Sequence, residues 1–171
     1  MTWYHNRYSD ADGSTTEGNR GISGYLFSYS GSTISWSTKR QSLVSLSTAK
    51  AELYILSYCT QETLSLRFLI EEIINLNLKA TVIYTDNQAV LHIVNNPERK
   101  YQQRTKHINI RKEFFKEKQE KGLINIQKIN TDENLSDIFT KALYYNRIQY
   151  LSSLIGLISK EKEISKIESK K

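Results

Sequence analysis

Four acidic residues, Asp10, Glu52, Asp86 and Asp137, stand where a strand end or a helix start can aim a carboxylate at one common point. Asp86 closes the apolar run Ala80-Thr81-Val82-Ile83-Tyr84-Thr85 and precedes Asn87-Gln88-Ala89-Val90, the pattern of a strand that ends and turns into a helix. Glu52 lies just inside a helix opened by Ser47-Thr48. Asp137 starts another in Glu133-Asn134-Leu135-Ser136-Asp137-Ile138-Phe139. Converging carboxylates repel one another unless cations sit between them. Oxygen-only donor sets suit hard divalent ions such as magnesium or manganese. Two such ions clamp the attacking and leaving oxygens of a phosphodiester, so the pattern points to a metal-dependent nuclease. Each acid also has a plainer reading: a solvated loop acid for Asp10, helix-start acids favoured by the dipole for Glu52 and Asp137, and a helix N-cap for Asp86.

Bringing these acids together requires a sheet with helices behind it. Trp3 to Ala11 reads as a strand ending near Asp10, and Asp12 to Asn19 as loop. Ile22 to Tyr29 alternates as a strand does. After the turn Ser30-Gly31-Ser32, Ile34 and Trp36 face one way in a further strand. Trp36 and Tyr25 are expected in the core rather than as base-stacking platforms. Ser47 or Thr48 is the expected N-cap of the longest helix, running to about Leu76. Its apolar stripe reads Ala51, Ile55, Tyr58, Thr63, Leu66, Leu69, Ile70 and Ile73. The strand ending at Asp86 follows, then a short helix from Asn87 to Val94 stopped at Pro97. His107 to Lys121 reads as a charged helix ended by Gly122. Ile124, Ile126 and Ile129 mark a last strand, and helices are expected over Asn134 to Leu143 and Asn146 to Ile158. The expected architecture is α/β: a mixed five-stranded sheet, three antiparallel strands then parallel additions, flanked by helices. Ligand and catalytic groups commonly sit at strand ends in such sheets. The expected domain covers residues 1–156, and the tail 157–171 is a charged helical extension or disordered.

The length of 171 residues suits one domain with a proper core. A net charge of +6 favours polyanionic partners. Much of the excess lies in Glu98 to Lys121, which holds nine basic and four acidic residues, net +5. Arg99, Lys100, Arg104, Lys106, Arg111 and Lys112 are candidate phosphate contacts there, set against a merely solvated face. Lys39 and Arg40 join the candidate nucleic-acid contacts. So do Asn87 and Gln88, which open a helix beside the suspected centre; helix-start polarity is the plainer reading of that pair. The single cysteine, Cys59, excludes a disulfide framework and a cysteine zinc site, and reads as a small buried helix residue. His5, His92 and His107 lack metal-ligand spacing. No signal peptide opens the chain, and no apolar run nears the ~18 residues of a membrane span. An intracellular, reducing compartment and no membrane partner are therefore expected.

Several segments in this order resemble the ribonuclease H domain of copia-type retrotransposon Pol polyproteins. They are Ser23-Gly24-Tyr25-Leu26-Phe27, Ile34 to Gln41, Leu46-Ser47-Thr48-Ala49-Lys50-Ala51-Glu52-Leu53-Tyr54, Tyr84-Thr85-Asp86-Asn87-Gln88-Ala89, Arg104 to Arg111, and Leu135-Ser136-Asp137-Ile138-Phe139-Thr140-Lys141. The resemblance runs from about Tyr8 to Leu143. It implies a ribonuclease H-like fold and hydrolysis of the RNA strand of RNA–DNA hybrids. It further implies two magnesium ions, or manganese, on Asp10, Glu52, Asp86 and Asp137, with Asp12 the alternative to Asp10. A reverse transcriptase domain is the implied neighbour, and a cytoplasmic virus-like particle or the nucleus the implied location. His107 matches the Thr-Lys-His-Ile segment and is expected to stabilise its loop. The chain departs from the pattern at Gly13, where tryptophan is usual, at Lys50, where an acid is usual, and at Ala142, where proline is usual. None of these is an implied ligand. Gln127 to Ser136 holds no histidine, so no proton shuttle is assigned there. With Met1 almost on the first strand, an excised domain or a relic is expected. That keeps a silent nucleic-acid-binding relic open beside the active enzyme. An integrase- or resolvase-like nuclease is disfavoured by the Thr-Asp-Asn-Gln and Ser-Asp-Ile-Phe-Thr-Lys segments.

Overall fold

A computed structural model describes residues 5–12, 21–29, 32–41, 48–96 and 106–157. The other residues lie outside the description, among them Arg99, Lys100, Arg104, the Ser47 cap and the tail from residue 158. The side chains of Asp12, Thr48 and His107 lie outside it as well. The elements run β1 (His5–Asp12), β2 (Ile22–Tyr29), β3 (Ser32–Arg40), α1 (Thr48–Ile74), β4 (Thr81–Thr85), α2 (Gln88–Asn95), α3 (Lys106–Glu120) and β5 (Ile124–Lys128). A 3-10 turn, Thr131–Glu133, then leads to α4 (Asp137–Thr140) and α5 (Tyr145–Leu154). The sheet order is β3-β2-β1-β4-β5. β1, β2 and β3 pair antiparallel, and β4 joins β1, and β5 joins β4, in parallel. This is the mixed five-stranded sheet expected from the sequence. No described helix is long and apolar enough to cross a membrane.

Alternation along the strands divides the core between two faces. Phe27 and Ile83 point to the side of α1, α2 and α3, where Leu53, Leu56, Cys59, Val90, Ile108, Phe115, Ile124 and Ile126 close around them. Tyr8 and Leu26 point to the other side, packed with Leu135, Leu151 and Ile155. Asp10 shares the parity of Tyr8, so it faces the α4 side.

The stripe expected on α1 is corrected. Ala51, Ile55 and Thr63 are buried as expected, but Tyr58, Leu69 and Ile73 are exposed, and Leu53, Leu56, Cys59, Thr60 and Arg67 are buried in their stead. Thr63 and Arg67 enter this face with hydrogen bonds to nearby carbonyls. Thr63 Oγ1 donates to the Cys59 carbonyl at 2.7 Å. The Arg67 guanidinium reaches the carbonyls of Leu78, Lys79 and Leu123 around the entry to β4, and pairs with Glu71 at 2.8 Å. Hydropathy alone ranks Thr60 and Arg67 as surface residues and leaves them off the stripe.

Trp36 is likewise not in the core: it is 62 % exposed. It lies on β3, an edge strand, opposite Leu26, beyond the cover that α4 and α5 give the sheet centre. Tyr25 packs partly buried against the larger core. The helix expected over Asn134 to Leu143 contracts to α4, preceded by the 3-10 turn. The cap of α2 is Asn87, not Asp86: Asn87 Oδ1 accepts from the Ala89 and Val90 amides at 3.0 and 3.1 Å. Asn87→Ala is expected to cost about 1 kcal/mol, read as a fall in Tm of roughly 2–4 °C in thermal unfolding. An unchanged Tm would mean that the cap contributes nothing.

Candidate metal centre

The register across β1 and β4 sets two of the four acids side by side. Tyr8 pairs with Tyr84, and their rings lie 5.6 Å apart. Two residues further along each strand direction come Asp10 and Asp86. Period-2 alternation carries Asp10 onto the same face as the rings. Because Asn87 takes the capping role, Asp86 is left to face the centre.

Asp137 is delivered by α4, and Gly24 permits that delivery. Gly24 pairs with Asp10 across β1 and β2. A Cβ built on Gly24 would stand 2.9 Å from Phe139 Cβ and 2.9 Å from Thr140 Cγ2. Only a residue without a side chain lets α4 lie this close to the sheet. Thr38 Oγ1, donating to the Phe139 carbonyl at 2.8 Å, ties the same helix to β3. The fully buried Asn134 holds the approach to α4. Its Nδ2 donates to the Ser9 carbonyl at 3.3 Å, and its Oδ1 accepts from Ser136 Oγ at 2.6 Å.

Asp10, Asp86 and Asp137 each then offer a carboxylate oxygen, and these oxygens all lie within 4.8 Å of one another. Asp10 and Asp137 are 2 % and 4 % exposed. Thr140 Oγ1 donates a short hydrogen bond to Asp10 Oδ2. Lys141 Nζ stands 2.7 Å from Asp137 Oδ1 and 3.5 Å from Asp10 Oδ2. Burial pushes the Asp10 carboxyl above the ordinary carboxylate value, against the pull of Thr140 and Lys141. Burial does the same to Asp137, against Lys141. For Lys141, burial acts to lower the ammonium pKa, but Asp137, Asp10 and Asp86 outweigh it and hold the value up.

Glu52 is buried, 5 % exposed, yet stands outside the three-acid group. It comes from α1, which covers the Phe27–Ile83 face, whereas Asp10 and Asp137 meet on the α4 face. The donor set suits a hard divalent cation. Opposite ligands of one magnesium ion stand about 4.2 Å apart, twice the ~2.1 Å bond, which is the scale of this cluster.

Among the candidate nucleic-acid contacts, Lys39, Arg40, Lys106 and Gln88 are exposed. The Arg111 guanidinium lies 4.6 Å over the Tyr54 ring, and Lys39 acts electrostatically on the same phenol. Lys112 is withdrawn from the phosphate contacts because it is 3 % exposed; with Ile108 and Phe115 it falls at i, i+4 and i+7 on the inner face of α3. Thr140, Lys141, Asn134 and Gly24 have no role in the sequence reading. The signals for two of them are present: Lys141 is four residues after Asp137, and a glycine inside a strand marks close backbone approach.

Sheet order and helix placement make this a ribonuclease H-like domain. In fold it is similar to LC11-RNase H1, solved in complex with an RNA/DNA hybrid, at 13% identity and a TM-score of 0.55, covering 80% of this chain and 94% of that one. It is similar to the N-terminal RNase H domain of a Mycobacterium tuberculosis protein (10% identity, TM-score 0.55, 89% and 98% covered). RNase H1 of Halobacterium salinarum NRC-1 is a third (11% identity, TM-score 0.53, 80% and 93% covered). In sequence the chain is similar to a retrotransposon polyprotein. It is 35% identical over 153 residues to the retrovirus-related Pol polyprotein from transposon TNT 1-94 of Nicotiana tabacum. That match takes in 89% of this chain, which spans only 11% of the polyprotein's length. No family model matches the chain.

Proposed function

We propose that this domain is a divalent-metal-dependent endoribonuclease that hydrolyses the RNA strand of RNA–DNA hybrids, within a Pol polyprotein and beside a reverse transcriptase domain. The observation that carries the reading is the meeting of Asp10, Asp86 and Asp137 oxygens within 4.8 Å. Their sequence positions are far apart, and two of them are almost fully buried without a hydrophobic reason to be. The ribonuclease H-like fold and the Pol relative support a nuclease of this type. The hybrid bound to LC11-RNase H1 supports the substrate.

In this reading Asp10, Asp86 and Asp137 hold magnesium, or manganese, and Glu52 completes the set from the α1 side with two ions in place. When bound, the metal supplies a water of lowered pKa and charge stabilisation at the phosphate. Thr140 fixes the orientation of the Asp10 carboxylate through its hydroxyl. Burial of Asp10 and Asp137 excludes bulk water and strengthens each electrostatic contact. Lys39, Arg40, Arg104, Lys106 and Arg111 take phosphates of the hybrid. Gln88 and the Asn87 amide face the minor groove, where 2′-hydroxyls are displayed.

The purified chain is incubated with labelled RNA–DNA hybrid, duplex DNA and duplex RNA, with magnesium or with EDTA, and Asp86→Asn controls for contaminating nuclease. Cutting of the hybrid alone, with magnesium and not in the variant, is the expected result. Tight binding without cutting would establish a silent nucleic-acid-binding domain instead.

A further inference from the structure

We propose that Lys141 is a tethered counter-cation of the acidic centre, which shares the oxygens of Asp10 and Asp137 with the divalent ion and thereby sets the affinity for that ion. The inference rests on the metal-centre reading above and adds a competitor to it.

Three features carry it. The first is position: Nζ stands 2.7 Å from Asp137 Oδ1 and 3.5 Å from Asp10 Oδ2, between two of the three acids that meet. A divalent ion bound to the same Asp137 oxygen would lie about 2.1 Å from it. An ion using that oxygen would draw on the same negative charge as the ammonium, so that each would weaken the other. The second is asymmetry of freedom. Asp10 and Asp137 are almost fully buried and held by the sheet and α4, whereas the Lys141 side chain is 30 % exposed on a flexible four-carbon stem. Lys141 is the partner that can leave. The third is geometry of the chain: Lys141 caps the four-residue α4, its amide donating to the Asp137 carbonyl. The ammonium therefore withdraws into solvent without unwinding the helix that presents Asp137. Without divalent ions, the lysine keeps three converging carboxylates tolerable. As ions rise, it yields its place.

The test is calorimetric titration of manganese chloride, and separately magnesium chloride, into the EDTA-stripped chain, for wild type, K141M, K141Q and K141R. Thermal unfolding is followed with and without each salt. K141M and K141Q are expected to bind manganese about tenfold more tightly than wild type and to melt lower in EDTA. They should also gain more from the ion than wild type gains. K141R, which keeps the charge, stays within about twofold of wild type. A lysine that merely braced the site would give the opposite result, weaker binding on removal. Equal or weaker binding by both neutral variants overturns the proposal and leaves the nuclease reading standing. Absence of ion binding in wild type and variants alike overturns both. K141Q keeps hydrogen-bond donors at the site, so a folding defect confined to K141M does not decide the outcome.

Discussion

Asp10→Asn is expected to abolish hybrid cleavage while raising the thermal stability of the metal-free domain. The loss of activity follows from removing the carboxylate charge that Asp10, Asp86 and Asp137 jointly offer a cation. A loss of at least roughly a thousandfold, about 4 kcal/mol at the transition state, is expected. The gain in stability follows from burial. In the folded chain the Asp10 carboxyl is raised above 3.8, first by desolvation, so folding favours its protonated form. The stability tied to that proton is complete below the ordinary value of 3.8 and is lost as pH rises through the raised value. Near neutral pH the buried charge is a burden, which asparagine removes while still accepting the Thr140 hydroxyl. The variant should melt roughly 2–4 °C higher in EDTA, about 1 kcal/mol. The difference should shrink as pH falls toward 3.8 and reverse when magnesium is added. A variant that melts lower than wild type in EDTA would show that Asp10 serves the fold rather than a ligand.

Gly24→Ala is expected to damage the centre from the opposite strand. The new methyl group would meet Phe139 Cβ and Thr140 Cγ2 at 2.9 Å. Phe139 Cβ is fixed to the backbone, and the Thr140 methyl can turn away only by breaking its hydroxyl's bond to Asp10, so α4 itself must move. Overpacking of this kind costs about 1–3 kcal/mol, a fall in Tm of roughly 2–12 °C. The same movement carries Asp137 and Thr140 away from Asp10. A displacement near 1 Å is enough to lower cleavage about a hundredfold. Asp10 and Asp86 remain paired through β1 and β4, so part of the ion affinity should survive. Full activity with a wild-type Tm would mean that α4 does not need its close seat on β2.

The strands were legible because each declares itself by alternation or by an apolar run. Ile22–Tyr29 and Thr81–Thr85 occupy the places the pattern indicates. The helix ends at Gly122 and near Pro97 were legible because glycine and proline act on the backbone whatever their surroundings: Gly122 has φ +66°. The α1 stripe was legible only in part: Ala51, Ile55 and Thr63 are buried as expected, but Arg67 is buried because carbonyls of Leu78, Lys79 and Leu123 elsewhere in the fold receive it. Trp36 misled for the reverse reason. Its hydrophobicity is intrinsic, but whether a helix covers an edge strand is decided by elements more than 100 residues away. At the centre, the acids themselves stood out in the motifs. Thr140, Lys141 and Gly24 did not, because their meaning appears only when α4 lies on β2. That Glu52, on α1, stands outside the three-acid group could not be read from spacing at all.

The hydrogen bond from Thr140 to Asp10 spans 130 positions along the chain. Closing so long a loop is entropically slow and earns contacts only at the end. Strands β1 to β3 can pair locally, but β4 must arrive from beyond α1, and α4 from later still. Asp10 and Asp86 meet through β1 and β4, but the three-acid cluster is complete only when α4 sits on β2. Without α4 in place, Asp137 is missing from the cluster and the like-charge repulsion there is smaller. The complete cluster is thus a signature of the whole fold, β1 to α4.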